Sequence, residues 1–175
     1  MKYLIVLLLL LSACAKQDQP TGSVSPQMVN RNLPQLPVYS VVGNDNRNDY
    51  PITNTLDGNT ASFMTTNTLS VGSIIWISYQ VNSSLNYIDL IENHTNKYNL
   101  GDLTIQISHD STDGINGSWL SVASLNASNH GFSSGDGTII INQLSVTWLK
   151  LVMTYNGSGA HGVTPAFYLS EIKFF

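Results

Sequence analysis

The chain has 175 residues, of which 42% are hydrophobic and only 10% charged, with a net charge of -4. That length suits one domain behind a targeting segment, and the hydrophobic fraction is enough for a core. A mildly acidic chain without a Lys/Arg cluster lacks the electrostatic footprint of a nucleic-acid binder and has no attraction for anionic lipid. Ser, Thr and Asn make up the shortfall in charge, and they suit turns and strand faces better than helix interiors. No long segment beyond the N-terminus has a helical period. The composition therefore points to an extracytoplasmic all-β protein.

Residues 1–13 carry one cation, Lys2, then an apolar run over residues 3–11 that is too short to span a bilayer and has the shape of a signal peptide. Leu11-Ser12-Ala13-Cys14 resembles the lipobox of bacterial lipoproteins, which implies that Cys14 becomes a lipid-modified N-terminus. A plain secretory signal with an accidental cysteine is the alternative. Ala15, rather than Asp, after the cysteine implies an outer-membrane lipoprotein, held by its acyl chains alone. Cys14 is the sole cysteine, so no intramolecular disulfide can form, and any staple must be of another kind, a metal being the natural candidate. Residues 14–37 contain Pro20, Pro26, Pro34 and Pro37 among polar residues, the composition of a flexible tether. Its later part, with Leu33 and Leu36, is expected to reach the domain of residues 38–175.

From residue 38 the pattern is strand and turn. Residues 39–42 make a short first strand, and residues 43–51 (GNDNRNDYP) make a loop. Residues 73–81 alternate, with Ile75, Ile77, Tyr79 and Val81 on one face and Trp76, Ser78 and Gln80 on the other. Residues 86–92 form another strand. Residues 102–108 follow, with Leu103, Ile105 and Ile107 inward, then residues 119–122, 137–142, 146–155 and 167–174. About eight short strands with turn signals between them define an antiparallel β-sandwich or barrel. Trp76, Trp119 and Trp148 fall in these strands and are expected to pack in the core.

The order of motifs resembles the discoidin domain (factor V/VIII type C), within the galactose-binding jelly-roll group. Asp57-Gly58-Asn59 followed by Ser62 and Met64 is similar to that family's Asp-Gly pattern with a hydroxyl and a Trp. Trp76-Ile77-Ser78-Tyr79 and Tyr87-Ile88-Asp89-Leu90 resemble its central strands. Leu103 to Ser108, then Asp113-Gly114 and Trp119, resemble its strand, turn and Trp segment. Trp148-Leu149-Lys150-Leu151 and Leu169-Ser170-Glu171-Ile172 resemble its closing motifs. Met64 stands where a Trp is usual, Lys150 where an Arg is usual, and the cysteines that tie the ends of animal members are missing. The resemblance implies a jelly-roll β-sandwich over residues 40–175.

Two sets of residues carry candidate chemistry. Asp57, Asn59 and Ser62 offer oxygen ligands around a Gly turn, and Glu171 interrupts an apolar closing strand where an unpaired charge is costly. The resemblance implies that these four hold a structural calcium. The alternative is a simple Asp-Gly turn, with Glu171 paired to Lys173, Lys150 or solvent. The second set is Arg47, His94, Asn96, Lys97, Tyr155 and His161. The resemblance places their loops at one end of the sandwich, beside Asp45, Asn46 and Tyr50, where aromatic, amide and cationic groups suit a sugar. No Gly-x-Ser-x-Gly elbow or His-Glu-x-x-His motif exists, nothing in the sequence brings Glu92 and Asp102 together, and four scattered histidines do not make a zinc site. The expectation is a non-catalytic carbohydrate-binding or adhesion module that takes a glycan of galactose type, with a surface-protein interaction or assembly module as the alternative.

Overall fold

The computed structural model describes residues 32–91, 101–126, 137–157 and 166–175. In chain order the described elements are β1 (Ser40–Gly43), a short 3-10 helix (Ile52–Leu56), β2 (Met64–Thr65), β3 (Ile74–Ile91), β4 (Asp102–Ser108), β5 (Leu120–Leu125), β6 (Gly137–Thr154), β7 (Tyr168–Leu169) and β8 (Glu171–Phe174). One sheet has the order β1-β3-β6-β4-β5, with β8 added to the far half of β3, and β2 pairs with β7. Every pairing is antiparallel.

The architecture is set by β3 and β6, which pair from Ile74↔Thr154 to Leu90↔Gly137. The sequence pattern divides each of them into two strands, and the structure corrects that division. The polar segments read as turns, around residues 82–84 and 142–145, face each other across the ribbon, with Ser83 opposite Val146, Leu85 opposite Gln143 and register shifts on both sides. Asn82 and Asn142 take φ of 47° and 49° there, a left-handed conformation that Asn tolerates better than most residues. The irregularity also moves the alternation. Odd-numbered Ile75, Ile77, Tyr79 and Val81 are buried before it, even-numbered Ile88 and Leu90 after it. An inserted residue exchanges the faces of a strand, so the apolar side chains stay on the concave side as the ribbon bends.

The bend makes two layers. Ile88 lies opposite Phe174 on β8, and the nine steps from Tyr79 to Ile88 would span roughly 30 Å if straight. Yet the rings of Tyr79 and Phe174 are 5.4 Å apart. The first half of the ribbon, with β1, β4 and β5, therefore covers one side of the core and the second half, with β8, covers the other. Ile77, Leu103, Ile105, Leu149 and Leu151 meet Ile88, Leu90, Ile172 and Phe174 between them. Met64, in the place of a Trp, is 1% exposed and fills its position in that core. Two smaller boundaries differ from the sequence reading. β5 starts at Leu120 and runs to Leu125, and the closing strand is broken at Ser170, whose N–H turns to the carbonyl of Ile91.

Because the ribbon folds over, both of its ends lie at one pole. The segment around β7 touches both: the Phe167 ring lies directly over Gly101 beside the Thr154 end, its backbone exchanges bonds with Thr66, and Ser170 N–H reaches Ile91 O at the other end. The residues bordering segments 92–100, 127–136 and 158–165 reach this pole, as does the loop after β1. The chain enters at the other pole. Leu36 N–H donates to the carbonyl of Phe174 at 2.8 Å, Tyr39 N–H donates to that of Gln80, and Leu36 and Val38 pack on the core. Terminal Phe175 is held there too, stacked on Tyr87.

Candidate functional site

Among the described residues, three regions carry polar or aromatic side chains in arrangements beyond ordinary packing. The first joins the start and the finish of the domain. After the 3-10 helix, Gly58 adopts a φ of 73°, which turns the chain so that its N–H donates to Oε2 of Glu171 at 3.2 Å. The Asp57 carboxylate accepts Asn59 N–H at 2.8 Å and the Ser62 hydroxyl at 2.6 Å. The Asn59 carbonyl in turn accepts from the Ser62 hydroxyl at 2.7 Å. Asp57, Asn59, Ser62 and Glu171 are thus gathered into one clasp, as the sequence motif implies. Glu171 is only 2% exposed. Burial first, and then the nearby Asp57 charge, push its pKa above the ordinary carboxylate range, while the Gly58 N–H pulls it down. Asp57 is held below its ordinary value, first by the Ser62 hydroxyl and then by the Asn59 N–H. Burial also raises the pKa of Tyr79, whose hydroxyl meets Thr55 at 3.1 Å beneath the clasp and feels the Glu171 charge.

The clasp is an all-oxygen set of carboxylate, hydroxyl and carbonyl groups with two acids facing each other. That chemistry fits a hard cation such as calcium and does not fit zinc. Among the described residues no group of three or more His, Cys, Asp or Glu converges. A calcium here would draw its remaining ligands from hydroxyls and main-chain carbonyls. The alternative pairing of Glu171 with Lys150 is overturned, because Lys150 lies on the outer face of the sheet.

The second region is the loop after β1, at the pole where the ribbon ends meet. Asn44 fastens its start, with its side-chain amide donating to Ile74 O at 3.1 Å and accepting Trp76 N–H at 2.7 Å. Asp45 accepts both the backbone and the side-chain N–H of Asn67, at 2.9 and 2.7 Å. Asn46 accepts Ile52 N–H. Arg47 pairs with Asp49 at 3.6 Å and lies over the Tyr50 ring at 5.4 Å. Tyr50 stacks on Phe63 at 4.9 Å, and Phe63 leans on Tyr168 at 5.6 Å. Tyr155 belongs to the same pole, its backbone bonded to Gly72 and Ser73, but its side chain is partly packed on the core. Val71 and Ile74 beside it are 73% and 55% exposed. His94, Asn96, Lys97, His161 and Cys14 lie outside the described residues.

The third region was missed in the sequence. Trp148 is buried, as expected, whereas Trp76 and Trp119 are only partly buried and do not join the main core. Trp76 and Lys150 point outward from their strands, and residues 110–119 fold over them. The Lys150 ammonium lies 3.5 Å from the Trp119 ring centroid and 5.1 Å from that of Trp76, and donates to Ile115 O at 3.5 Å. Gly114 sits directly on Trp148, and its carbonyl accepts the Ser78 hydroxyl at 2.7 Å. Burial lowers the Lys150 pKa, and the Asp113 charge opposes that shift. The outward phase of Trp76 was the available signal, since it alternates with buried Ile75 and Ile77.

No family model matches the chain, and no curated protein matches it in sequence. Its fold does match solved structures. Chitosan-binding module 1 of a chitosanase/glucanase from Paenibacillus sp. IK-5 is 19% identical, with a TM-score of 0.59 over 78% of this chain and 93% of that one. The family 32 carbohydrate-binding module of AlyQ, in complex with 4,5-unsaturated mannuronic acid, is 17% identical, with a TM-score of 0.59 over 82% and 98%. A family 32 module from Clostridium perfringens, in complex with GalNAc-β-1,3-galactose, is 15% identical, with a TM-score of 0.59 over 78% and 94%. The domain thus has the discoidin-like jelly-roll fold of these modules, and is nearly all antiparallel β-structure.

Proposed function

We propose that the domain is a non-catalytic carbohydrate-binding module that takes a glycan at the pole carrying Arg47 and Tyr50. The observation that carries this reading is the arrangement of that loop in this fold. A guanidinium and a phenol ring stand together in a loop whose start is fixed by the bonds of Asn44, Asp45 and Asn46, on a framework shared with modules solved with glycans bound. Arg47 and Phe63 take the two faces of the Tyr50 ring, so a pyranose would meet the guanidinium and the phenol edge, whose donors suit its hydroxyls. Such shallow sites bind weakly singly and gain from many copies on one surface. The test is titration with galactose, GalNAc-β-1,3-galactose, chitotriose and 4,5-unsaturated mannuronic acid. Saturable binding to one of them that Arg47→Ala weakens supports the reading; no binding to any, or indifference to Arg47→Ala, overturns it.

Calcium at the clasp is part of the same proposal. Asp57, Asn59, Ser62 and Glu171 would hold it, and its charge would offset the repulsion between the two acids. So is lipid anchoring at Cys14 in the bacterial outer membrane. The chain enters the domain at the pole opposite Arg47, so an N-terminal anchor would leave the loop pole facing outward, the orientation a surface adhesion module needs. Cys14→Ser should release the protein from membranes. A surface-protein partner is the second reading, favoured by exposed Val71 and Ile74 at the same pole. Capture of a defined membrane protein that Ile74→Asp abolishes, with no sugar bound, would select it.

A further inference from the structure

Four side chains form an unbroken line from the loop pole to the clasp. The Arg47 guanidinium lies over Tyr50, Tyr50 is stacked on Phe63 with only 13° between the ring planes, and Phe63 meets Tyr168 at 45°. The inner two rings are rooted on the two segments the clasp joins. Phe63 directly follows Ser62, and its carbonyl accepts the Asn54 side-chain amide at 2.9 Å. Tyr168 lies opposite Thr65 in the β2–β7 pair, three residues before Glu171. Thr65 N–H also reaches the Tyr50 carbonyl at 3.4 Å. The bonds of Asn44, Asp45 and Asn46 fix the first part of the loop, whereas Tyr50 rests on the ring stack and Arg47 lies over it, paired with Asp49 at 3.6 Å. Offset stacking of this kind favours one relative placement of its rings, and an Arg over the outermost ring is oriented with them.

The geometry points to Phe63 and Tyr168 as positioning residues for the glycan site: through the stack they set where Tyr50 and the Arg47 guanidinium stand. The inference rests on the carbohydrate reading for its effect on binding, and on the ring stack alone for its effect on Arg47. Phe63 and Arg47 are separated by Tyr50, so independent contributions would add in a double variant, whereas positioning makes them overlap. Phe63→Leu keeps an apolar side chain on the flank and should leave the domain folded, yet removes the stack.

The experiment has two arms. In the first, the affinity of wild type, Phe63→Leu, Arg47→Ala and the double variant is measured for whichever sugar of the panel binds. Loss of the stack is expected to weaken binding about 3- to 10-fold. The double variant is expected to be little worse than Arg47→Ala, and Phe63→Tyr to restore wild-type affinity. Losses that multiply in the double variant would overturn the inference. In the second arm, which needs no sugar, the ring-current shift of the Arg47 side-chain protons is followed by NMR. It should collapse in Phe63→Leu and in Tyr168→Leu and persist in Phe63→Tyr. An Arg47 shift unchanged in Phe63→Leu overturns positioning whatever the sugars do. A shift that collapses while no sugar binds upholds positioning and removes the carbohydrate reading.

Discussion

The chain contains two Asp-Gly turns in its described loops, and they have opposite fates. At Asp113-Gly114 the carboxylate accepts Ile115 N–H, Asn116 N–H and the Asn116 side-chain amide, each at 2.8 Å, so the turn is satisfied from within. An unlike charge, Lys150, acts on it from between Trp76 and Trp119. At Asp57-Gly58 the turn faces a second acid, Glu171, inside a strand end that is almost free of solvent. The two turns differ in what lies opposite them: a cation alone at Asp113-Gly114, and at Asp57-Gly58 a second acid with Lys173 near it. The proposed calcium belongs to the second arrangement and not to the first.

The largest effect that would break or uphold this contrast is that of calcium. At about one hundred times its Kd, a ligand of the native state adds about 2.7 kcal/mol, which in a domain of this size raises Tm by roughly 6–10 °C. Chelation should reverse the rise. Glu171→Gln should abolish it while melting no lower than wild type in chelator, because the substitution removes a buried charge; Asp113→Asn should leave the rise intact. A calcium response surviving Glu171→Gln, checked by the same melts, would dissolve the distinction between the two turns.

Lys150→Ala comes next. It removes a buried stem and its contacts with two indoles, and is expected to cost about 2 kcal/mol, read in urea unfolding, with a red shift of tryptophan emission as the 110–119 loop loosens. The smallest effect is the acid dependence of the structural turn. The Ile115 and Asn116 N–H groups hold the Asp113 pKa below its ordinary value. The stability from this group is therefore present above the unfolded-state pKa and is lost as pH falls through the lowered folded value. Wild type should exceed Asp113→Asn in Tm at neutral pH, and the gap should close as acid protonates the wild-type carboxylate. A gap independent of pH would mean that the charge does not matter there.

The fold was largely legible because burial follows a period of two. Ile75, Ile77, Tyr79 and Val81, and Leu103, Ile105 and Ile107, are inward as the alternation demands. The clasp was legible as well, since an acid in an apolar strand needs an explanation. The bend of the long ribbon was not. Asn- and Ser-rich segments have the composition of reversing turns, and only their mutual pairing across β3 and β6 shows them to be bulges. Phe63 and Tyr168 were missed for a related reason. Phe63 precedes one two-residue strand and Tyr168 opens the other, both too short to show a period, and the contacts that give them meaning join positions 50, 63 and 168. The Lys150 cage likewise depends on a loop that returns over the outer face.

Whether sugar is met at the loop pole is tested most directly by an NMR titration of the ¹⁵N-labelled protein with the four sugars of the panel. Saturable shifts are expected at Asn44 to Tyr50 and at Asn67, with the clasp residues and the Asp113 turn unmoved. Shifts confined to the outer face around Trp119 and Lys150, or none with any sugar, would contradict that placement.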